Sequence, residues 1–296
     1  LHSLLHPPQA PLMIRWRVRG SSNALRGGSG GSNRMSLVQR AITVLETADC
    51  LEKCSLTFSI ANDWRENRIT AILSEARPPD VPARSMQEQP EADVKSNSKA
   101  PSMAGMKLVH ALAHIESVAI DLAWDIIARF ATDDTPRDFY SDWIKVAEDE
   151  ARHFRMLLDR LEKNGLTYGS YPVHQSLWRT ANETSGDLLA RLAVVHCVLE
   201  ARGLDINPKT MEKFKGWQDN DTVDVLVRIN EDEITHVSAG VKWFNYFAEP
   251  KGEIANVFHA TLAEHWKGKL VGPFNVEARE MAGMPQSWYS DYQLQA

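Results

Sequence analysis

The chain has 296 residues, of which 43% are apolar and 24% are charged, and its formal net charge at pH 7 is −6. This composition is enough for one large globular domain and excludes a chain that is disordered or fibrous overall. The most apolar stretch, 108–127, is interrupted by histidines and carboxylates, so we expect no membrane span. Cys50, Cys54 and Cys197 form neither a disulfide framework nor a zinc-ribbon motif, which favours a reducing compartment.

The positive charge is concentrated at the start of the chain. Residues 1–45 carry six arginines and no Asp or Glu. This composition predicts that residues 1–35 are a transit peptide, which would place the protein in the mitochondrial matrix. A basic disordered arm without a targeting role is the alternative. Setting those six charges aside leaves −12 for the rest of the chain, which argues against a nucleic-acid partner.

Four further regions follow the N-terminal arm. We expect a pair of short amphipathic helices in 36–75 and a proline-rich linker in 76–102 that lies over the surface or is mobile. A four-helix bundle is predicted for 103–250, and a C-terminal helix with an irregular tail for 251–296.

Helical periodicity runs through the second half of the chain, and no run of alternating apolar and polar residues predicts a strand. The fold class predicted is therefore all-α, a four-helix bundle with two N-terminal helices and an additional C-terminal helix. The predicted helices are Met103–Ala131, Pro136–Asn164, Ser185–Gly203, a short Lys209–Trp217, Thr222–Ala248 and Glu253–Trp266.

One motif occurs twice. Residues 148–153 and 231–236 both read Glu-Asp-Glu-x-x-His. A single Glu-x-x-His pair is weak, but chance predicts only about 0.003 copies of the longer motif in such a chain. The presence of two copies therefore indicates that both motifs serve the same chemical function.

Helix geometry selects the metal ligands within each copy. A Glu and a His three residues apart lie on one helix face and can reach the same ion, whereas the first Glu of each motif points about 140° away. The candidates are therefore Glu150 with His153 and Glu233 with His236.

A di-metal carboxylate site in a four-helix bundle also needs one Glu from each of the other two helices. Glu116 precedes Glu150 by 34 residues, and Glu200 precedes Glu233 by 33, both within apolar segments. A carboxylate in such a segment is costly unless it is paired or bound to metal. We therefore predict six ligands in two similar helical hairpins. The alternative is a vestigial site that keeps buried Glu–His hydrogen bonds without metal.

Three more residues are candidates for holding the ligands in place. Asp149 and Asp232 stand four residues before the two histidines and are predicted to accept an imidazole N–H, the alternative being ordinary helix-surface charge. His196 stands one turn before Glu200, where a supporting role and simple packing are both possible.

Several segments together resemble a ferritin-like family catalogued as domain of unknown function 455, over about residues 35–284. That family is grouped with ferritin-like di-iron proteins and is distantly similar to the tRNA hydroxylase that oxidises an isopentenyl-adenosine side chain. The resemblance implies a ferritin-like bundle with a di-iron site, but it names no substrate. His196 and Asn230-Glu231 depart from the family pattern. The segments that carry it are Leu112–Glu116, Ala119–Asp125, Glu150–Phe154, Leu199–Asp205, Asp232–Val237 and Pro273–Arg279.

Carboxylates with two imidazoles suit two Fe ions, or Fe with Mn. The first hypothesis is an O₂-dependent oxidase or hydroxylase of a small or tethered organic substrate. The second is an accessory or structural subunit of a mitochondrial complex, in which the metal only stabilises the bundle. The third is a ferroxidase or iron-binding protein. An apolar channel that ends at Glu116 or Glu200 would favour catalysis.

Overall fold

The computed structural model describes residues 35–86, 88–89 and 101–290. Within them the protein is an all-α helical bundle, which confirms the predicted fold class. The helices are α1 (Leu37–Glu46), α2 (Cys50–Arg65), α3 (Pro101–Phe130), α4 (Arg137–Lys163), α5 (Ser176–Glu183), α6 (Leu188–Ala190), a π-helix (Arg191–Leu199), α7 (Glu200–Gly216), α8 (Asn220–Ala248), α9 (Ile254–His265) and α10 (Val276–Met281), with 3₁₀ turns at Glu249–Lys251 and Gln286–Trp288.

Four long helical stretches form the centre of the bundle. α3 packs along α4, the π-helix and α7 pack along α8, and α4 and α8 pack against each other. The N-terminal pair lies outside this centre, with α1 on α3 and α2 on α4. Two strands of two residues each, β1 (Glu88–Gln89) and β2 (Val173–His174), pair in parallel at the surface.

Side-chain caps fix where several helices begin. Ser36 and Gln39 form a reciprocal capping box at the start of α1. The carboxylate of Asp49 caps α2, and that of Asp219 caps α8. Pro136 stands just before α4, where its missing N–H leaves no helical hydrogen bond unmade. None of the helices among the described residues is long and apolar enough to cross a membrane.

The first part of the proline-rich linker lies along the bundle surface. The backbone N–H of Ala83 donates to Leu45 O at 2.8 Å, and that of Ser85 donates to Ala48 O at 3.0 Å. The indole of Trp178 donates to Asp80 O at 3.0 Å. These bonds hold the linker against α1 and α5. Residues 87, 90–100 and 1–34, which include most of the predicted transit peptide, lie outside the described part of the chain.

The predicted break between residues 203 and 209 is wrong, because the chain is helical from Leu188 to Gly216 and passes through Pro208. A proline inside a helix removes one backbone hydrogen bond and costs about 3 kcal/mol. Tertiary contacts in the same turn offset that cost. Asp205 accepts hydrogen bonds from Arg279 at 2.6 Å and from the Asn275 backbone at 2.8 Å.

Two short helices lie where the sequence predicted none. α5 lies between the predicted helices Pro136–Asn164 and Ser185–Gly203, and its Trp178 and Ala181 are buried. α10 lies within the C-terminal tail, and its Arg279 is buried against Asp205. Both helices have eight residues or fewer, so an apolar period is hard to detect in them, and packing on the bundle stabilises them.

Candidate metal centre

Four of the predicted ligands converge in the interior of the bundle. Glu116 projects from α3, Glu150 and His153 from α4, and Glu233 from α8, and all four side chains are buried. One donor atom from each lies within 4.8 Å of the donor atoms of the other three. These residues form a group that could hold a metal ion.

The carboxylate of Glu150 lies between the two predicted imidazoles. Its Oε2 is 3.2 Å from Nδ1 of His153, and its Oε1 is 2.9 Å from Nδ1 of His236. Nδ1 of His153 is also 3.5 Å from Oε2 of Glu116, and Nδ1 of His236 is 3.9 Å from Oε1 of Glu233. Both Nδ1 atoms thus face the carboxylates, so Nδ1 is the nitrogen available to a metal.

Glu200 is the least buried of the six predicted ligands. It is the first residue of α7, directly after the π-helix, and its side chain is half-buried. Burial, followed by repulsion from Glu150, raises its pKa to about 7. It lies outside the tight group of four, although Glu150, His153 and His236 act on it electrostatically.

The two aspartates support the histidines, but across the helices rather than along them. Nε2 of His236 lies 3.3 Å from Oδ2 of Asp149, and Nε2 of His153 lies 3.2 Å from Oδ2 of Asp232. Each aspartate therefore accepts from the histidine of the partner helix. The prediction that they hold an imidazole N–H agrees with this geometry, while the pairing within one motif that the spacing suggested is not what is found.

One arginine joins the two aspartates. Arg152 lies 2.5 Å from Oδ1 of Asp149 and 3.4 Å from Oδ2 of Asp232. With Glu150 and the two imidazoles, these residues form a closed ring of contacts. Burial opposes ionisation of Asp149, but hydrogen bonds from His236 and Lys145 hold its pKa well below the usual range. Asp149 is therefore an ionised acceptor that holds the Nε2–H of His236.

The basic residues that cover the aspartates were not predicted from the sequence. Lys145 pairs with Asp149, and Arg228 lies 2.9 Å from Asp232. Both pairs are four residues apart on their helices, which is the spacing expected of a helical ion pair. That signal is visible in the sequence, whereas the bridging role of Arg152 requires the relative position of α4 and α8.

His196 packs rather than binds a ligand. Its ring centroid is 4.2 Å from that of Trp143, and among the described residues neither ring nitrogen has a hydrogen-bond partner. Burial holds its pKa well below the ordinary value. Its backbone lies so close to α8 that a Cβ at Gly240 would be 2.3 Å from His196 O. Of the two roles considered for His196, this geometry favours packing.

Comparison with known proteins identifies the family. A family model described as a protein of unknown function, DUF455, matches residues 46–290. The chain belongs to the DUF455 family. It is also 34% identical over 264 residues to an uncharacterized protein of Haemophilus influenzae, an alignment that covers 84% of this chain and 90% of that protein. No solved structure matches the chain.

The cluster in this DUF455 protein brings several ionisable groups together in the interior of the bundle. Burial and repulsion from Glu150 raise the pKa of Glu116 to about 8, and the same two effects raise that of Glu233 well above its ordinary value. The pKa of Glu150 is low because, against the effect of burial, His236 and His153 stabilise its ionised form. A cluster of this kind favours a bound cation, which would replace the protons that the carboxylates otherwise retain.

Proposed function

We propose that Glu116, Glu150, His153, Glu200, Glu233 and His236 hold two iron ions, or one iron and one manganese, and that the protein uses them as an O₂-dependent oxidase or hydroxylase. The observation that carries this proposal is the position of Glu150, whose two oxygens face two different imidazoles. A carboxylate in that position is suited to lie between two ions.

Charge balance supports two ions rather than one. Four glutamates provide four negative charges when ionised, and two divalent cations neutralise them while both imidazoles remain neutral. The donor set contains no thiolate, and a mixed carboxylate and imidazole set suits iron and manganese. Such a pair of ions would supply the redox chemistry with O₂ that no side chain of the cluster can supply.

The surrounding residues would orient the ligands. Asp149 and Asp232 keep the Nε2–H of each imidazole occupied, so that Nδ1 is free to act as a ligand. Arg152 links the two aspartates, which couples the positions of both imidazoles. On the opposite side, Glu116, Glu200 and Glu233 are the ligands nearest to solvent, where O₂ and an organic substrate would approach.

Metal content and oxygen uptake test the proposal. Protein produced in iron-rich medium should contain about two Fe, or Fe and Mn, per chain. When the metal-free protein is loaded with Fe(II) without oxygen and then exposed to it, an oxygen electrode should record uptake. Zinc alone, or no metal in fresh protein, would contradict the metal assignment.

A variant at Glu200 separates the oxidase from the other two hypotheses. Glu200→Ala should abolish oxygen uptake with the helical fold kept, whereas Glu231→Ala, an exposed glutamate of the repeated motif, should behave as the parent. Two bound ions without oxygen uptake in the parent would favour the structural subunit. Iron that is oxidised and accumulates beyond two per chain would favour the ferroxidase.

We also propose that residues 1–35 direct the protein to the mitochondrial matrix. Deleting them should leave the protein in the cytosol, while metal content and Tm stay unchanged. The reason is that α1 begins at Leu37 with its own cap and the ligands all lie beyond residue 100. Fractionation of cells and thermal unfolding check the two halves of this prediction. A truncated protein that fails to fold would contradict the targeting assignment.

A further inference from the structure

The candidate ligands differ in how far solvent reaches them. His153 is 0% exposed, and Glu150 and His236 are 1% exposed. Glu116 is 5% exposed, and Glu200 is half-buried. The three best-buried ligands come from α4 and α8, which pack together, whereas Glu116 and Glu200 come from α3 and α7. Glu233 of α8 is 7% exposed, and its Oε2 lies beside Gly203 of α7. Solvent therefore approaches the cluster between α3 and α7.

α3 and α7 run in opposite directions and meet on either side of the cluster. Near the start of α3, a Cβ at Gly105 would lie 3.4 Å from the Trp217 ring and 3.5 Å from the Phe214 ring, at the end of α7. Further along α3, Leu122 shares a buried apolar cluster with Val195 of the π-helix that leads into α7. The two glutamates lie between these meeting points.

The surface between the meeting points is apolar and exposed. Ile115 is 46% exposed and lies two turns before Leu122 on the same face of α3. On α7, Ile206 is 44% exposed and Leu199 is half-buried. Leu112 is half-buried one turn before Glu116. These aliphatic side chains offer an apolar surface to a ligand beside the buried carboxylates.

A glycine of α7 stands beside the cluster. Gly203 lies on α7 one turn after Glu200, and a Cβ built there would be 3.8 Å from Oε2 of Glu233. A larger side chain at this position would therefore extend into the space beside that carboxylate. We call the surface formed by Leu112, Ile115, Leu199, Gly203 and Ile206 the α3–α7 slot.

We propose that the α3–α7 slot binds an uncharged aliphatic chain and delivers it to the cluster. The inference rests on the proposed function, since it identifies the class of substrate. Four of the five slot residues are Leu or Ile, the fifth is a glycine, and none carries a charge. A charged group in the slot would lose hydration without gaining a partner, whereas a methylene chain loses unfavourable contact with water.

Linear alcohols of increasing length test the slot directly. Binding of 1-hexanol, 1-heptanol and 1-octanol to the full-length, metal-loaded protein is measured by calorimetry without reductant, so that no turnover occurs. Each additional buried methylene should lower Kd about fourfold. Octanoate and octylammonium should bind more weakly than 1-octanol. A Kd that does not depend on chain length, or tighter binding of either ion, would overturn the proposal.

Two variant pairs locate the binding. Gly203→Leu should raise the Kd of 1-octanol at least tenfold, whereas Gly216→Leu, on the same helix with no atom within 4 Å of its Cβ, should not change it. Ile115→Gln should raise the Kd several-fold and keep the fold, because Ile115 does not belong to the buried core. Its control is Val227→Gln, at a position on α8 that is 43% exposed. Circular dichroism and metal content confirm that each variant is folded.

The outcomes distinguish the slot from the proposed function. Suppose that alcohols bind with the expected length dependence and that Gly203→Leu raises the Kd of 1-octanol as expected, but that the protein takes up no oxygen. The slot proposal then stands and the oxidase proposal does not. If the protein takes up oxygen but Gly203→Leu and Ile115→Gln leave alcohol binding unchanged, the slot is wrong and the oxidase stands.

Discussion

Replacing Glu150 by alanine should remove both metal ions and abolish oxygen uptake. Oε1 and Oε2 of this residue face His236 at 2.9 Å and His153 at 3.2 Å, so that its loss removes a ligand from both halves of the site. Loss of a ligand that contacts only one ion, by comparison, would weaken the binding of that ion more than the binding of the other. Metal analysis and an oxygen electrode measure the two effects, and circular dichroism reports whether the bundle is kept.

The control for this variant is Glu148→Ala. Glu148 belongs to the same motif and helix, but it lies toward the surface and pairs with Arg65 at 2.6 Å. That pair has one exposed partner, and such surface pairs contribute about 0–1 kcal/mol, so Tm, metal content and oxygen uptake should change little. Retention of two metal ions by Glu150→Ala would contradict a position for Glu150 between them.

Much of the cluster is predictable from helix geometry alone. Glu150 and His153 share a face because they are three residues apart, and the same holds for Glu233 and His236. Glu116 was found because a carboxylate in an apolar helix needs a partner. These inferences use only distances within one helix, which the sequence specifies, and the structure brings these residues together.

Relations between helices could not be predicted in this way. Asp149 is four residues from His153 but accepts from His236, because the Nε2 atom of each imidazole points away from its own helix when Nδ1 faces the cluster. Which carboxylate meets that Nε2 atom depends on the distance between α4 and α8. The bridge made by Arg152 depends on the same distance, and no spacing within a single helix contains it.

The predicted helix boundaries were wrong where tertiary contacts outweigh the local conformational preference of the sequence. Pro208 favours a break, yet Asp205 is anchored by Arg279 from a helix about seventy residues later. The π-helix was also missed, because its wider turn leaves no distinctive pattern in an almost entirely apolar segment. Its position directly before Glu200 sets the direction of a candidate ligand, so this local irregularity bears on the site.

The stability that metal confers should increase as the pH rises. In the metal-free protein, burial and the charge of Glu150 raise the pKa of Glu116 from 4.5 to about 8 and that of Glu200 to about 7. Burial alone would lower the pKa values of His153 and His236, but the surrounding carboxylates raise them well above 6.5. All four groups bind more protons when folded than when unfolded. Their contribution to stability is therefore lost as the pH rises, from about 4.5 to 8 for Glu116.

Metal changes this dependence because its ligands are bound without their protons. The Tm of the metal-stripped protein should fall between pH 5 and pH 8, while that of the metal-loaded protein should stay higher, so that the gap between the two widens. Thermal unfolding of both forms across this range measures the gap. In the metal-stripped protein, Glu116→Gln should reduce the dependence of Tm on pH, since the amide keeps the shape of the side chain but does not titrate. Parallel curves for the two forms would mean that the cluster does not exchange protons for metal.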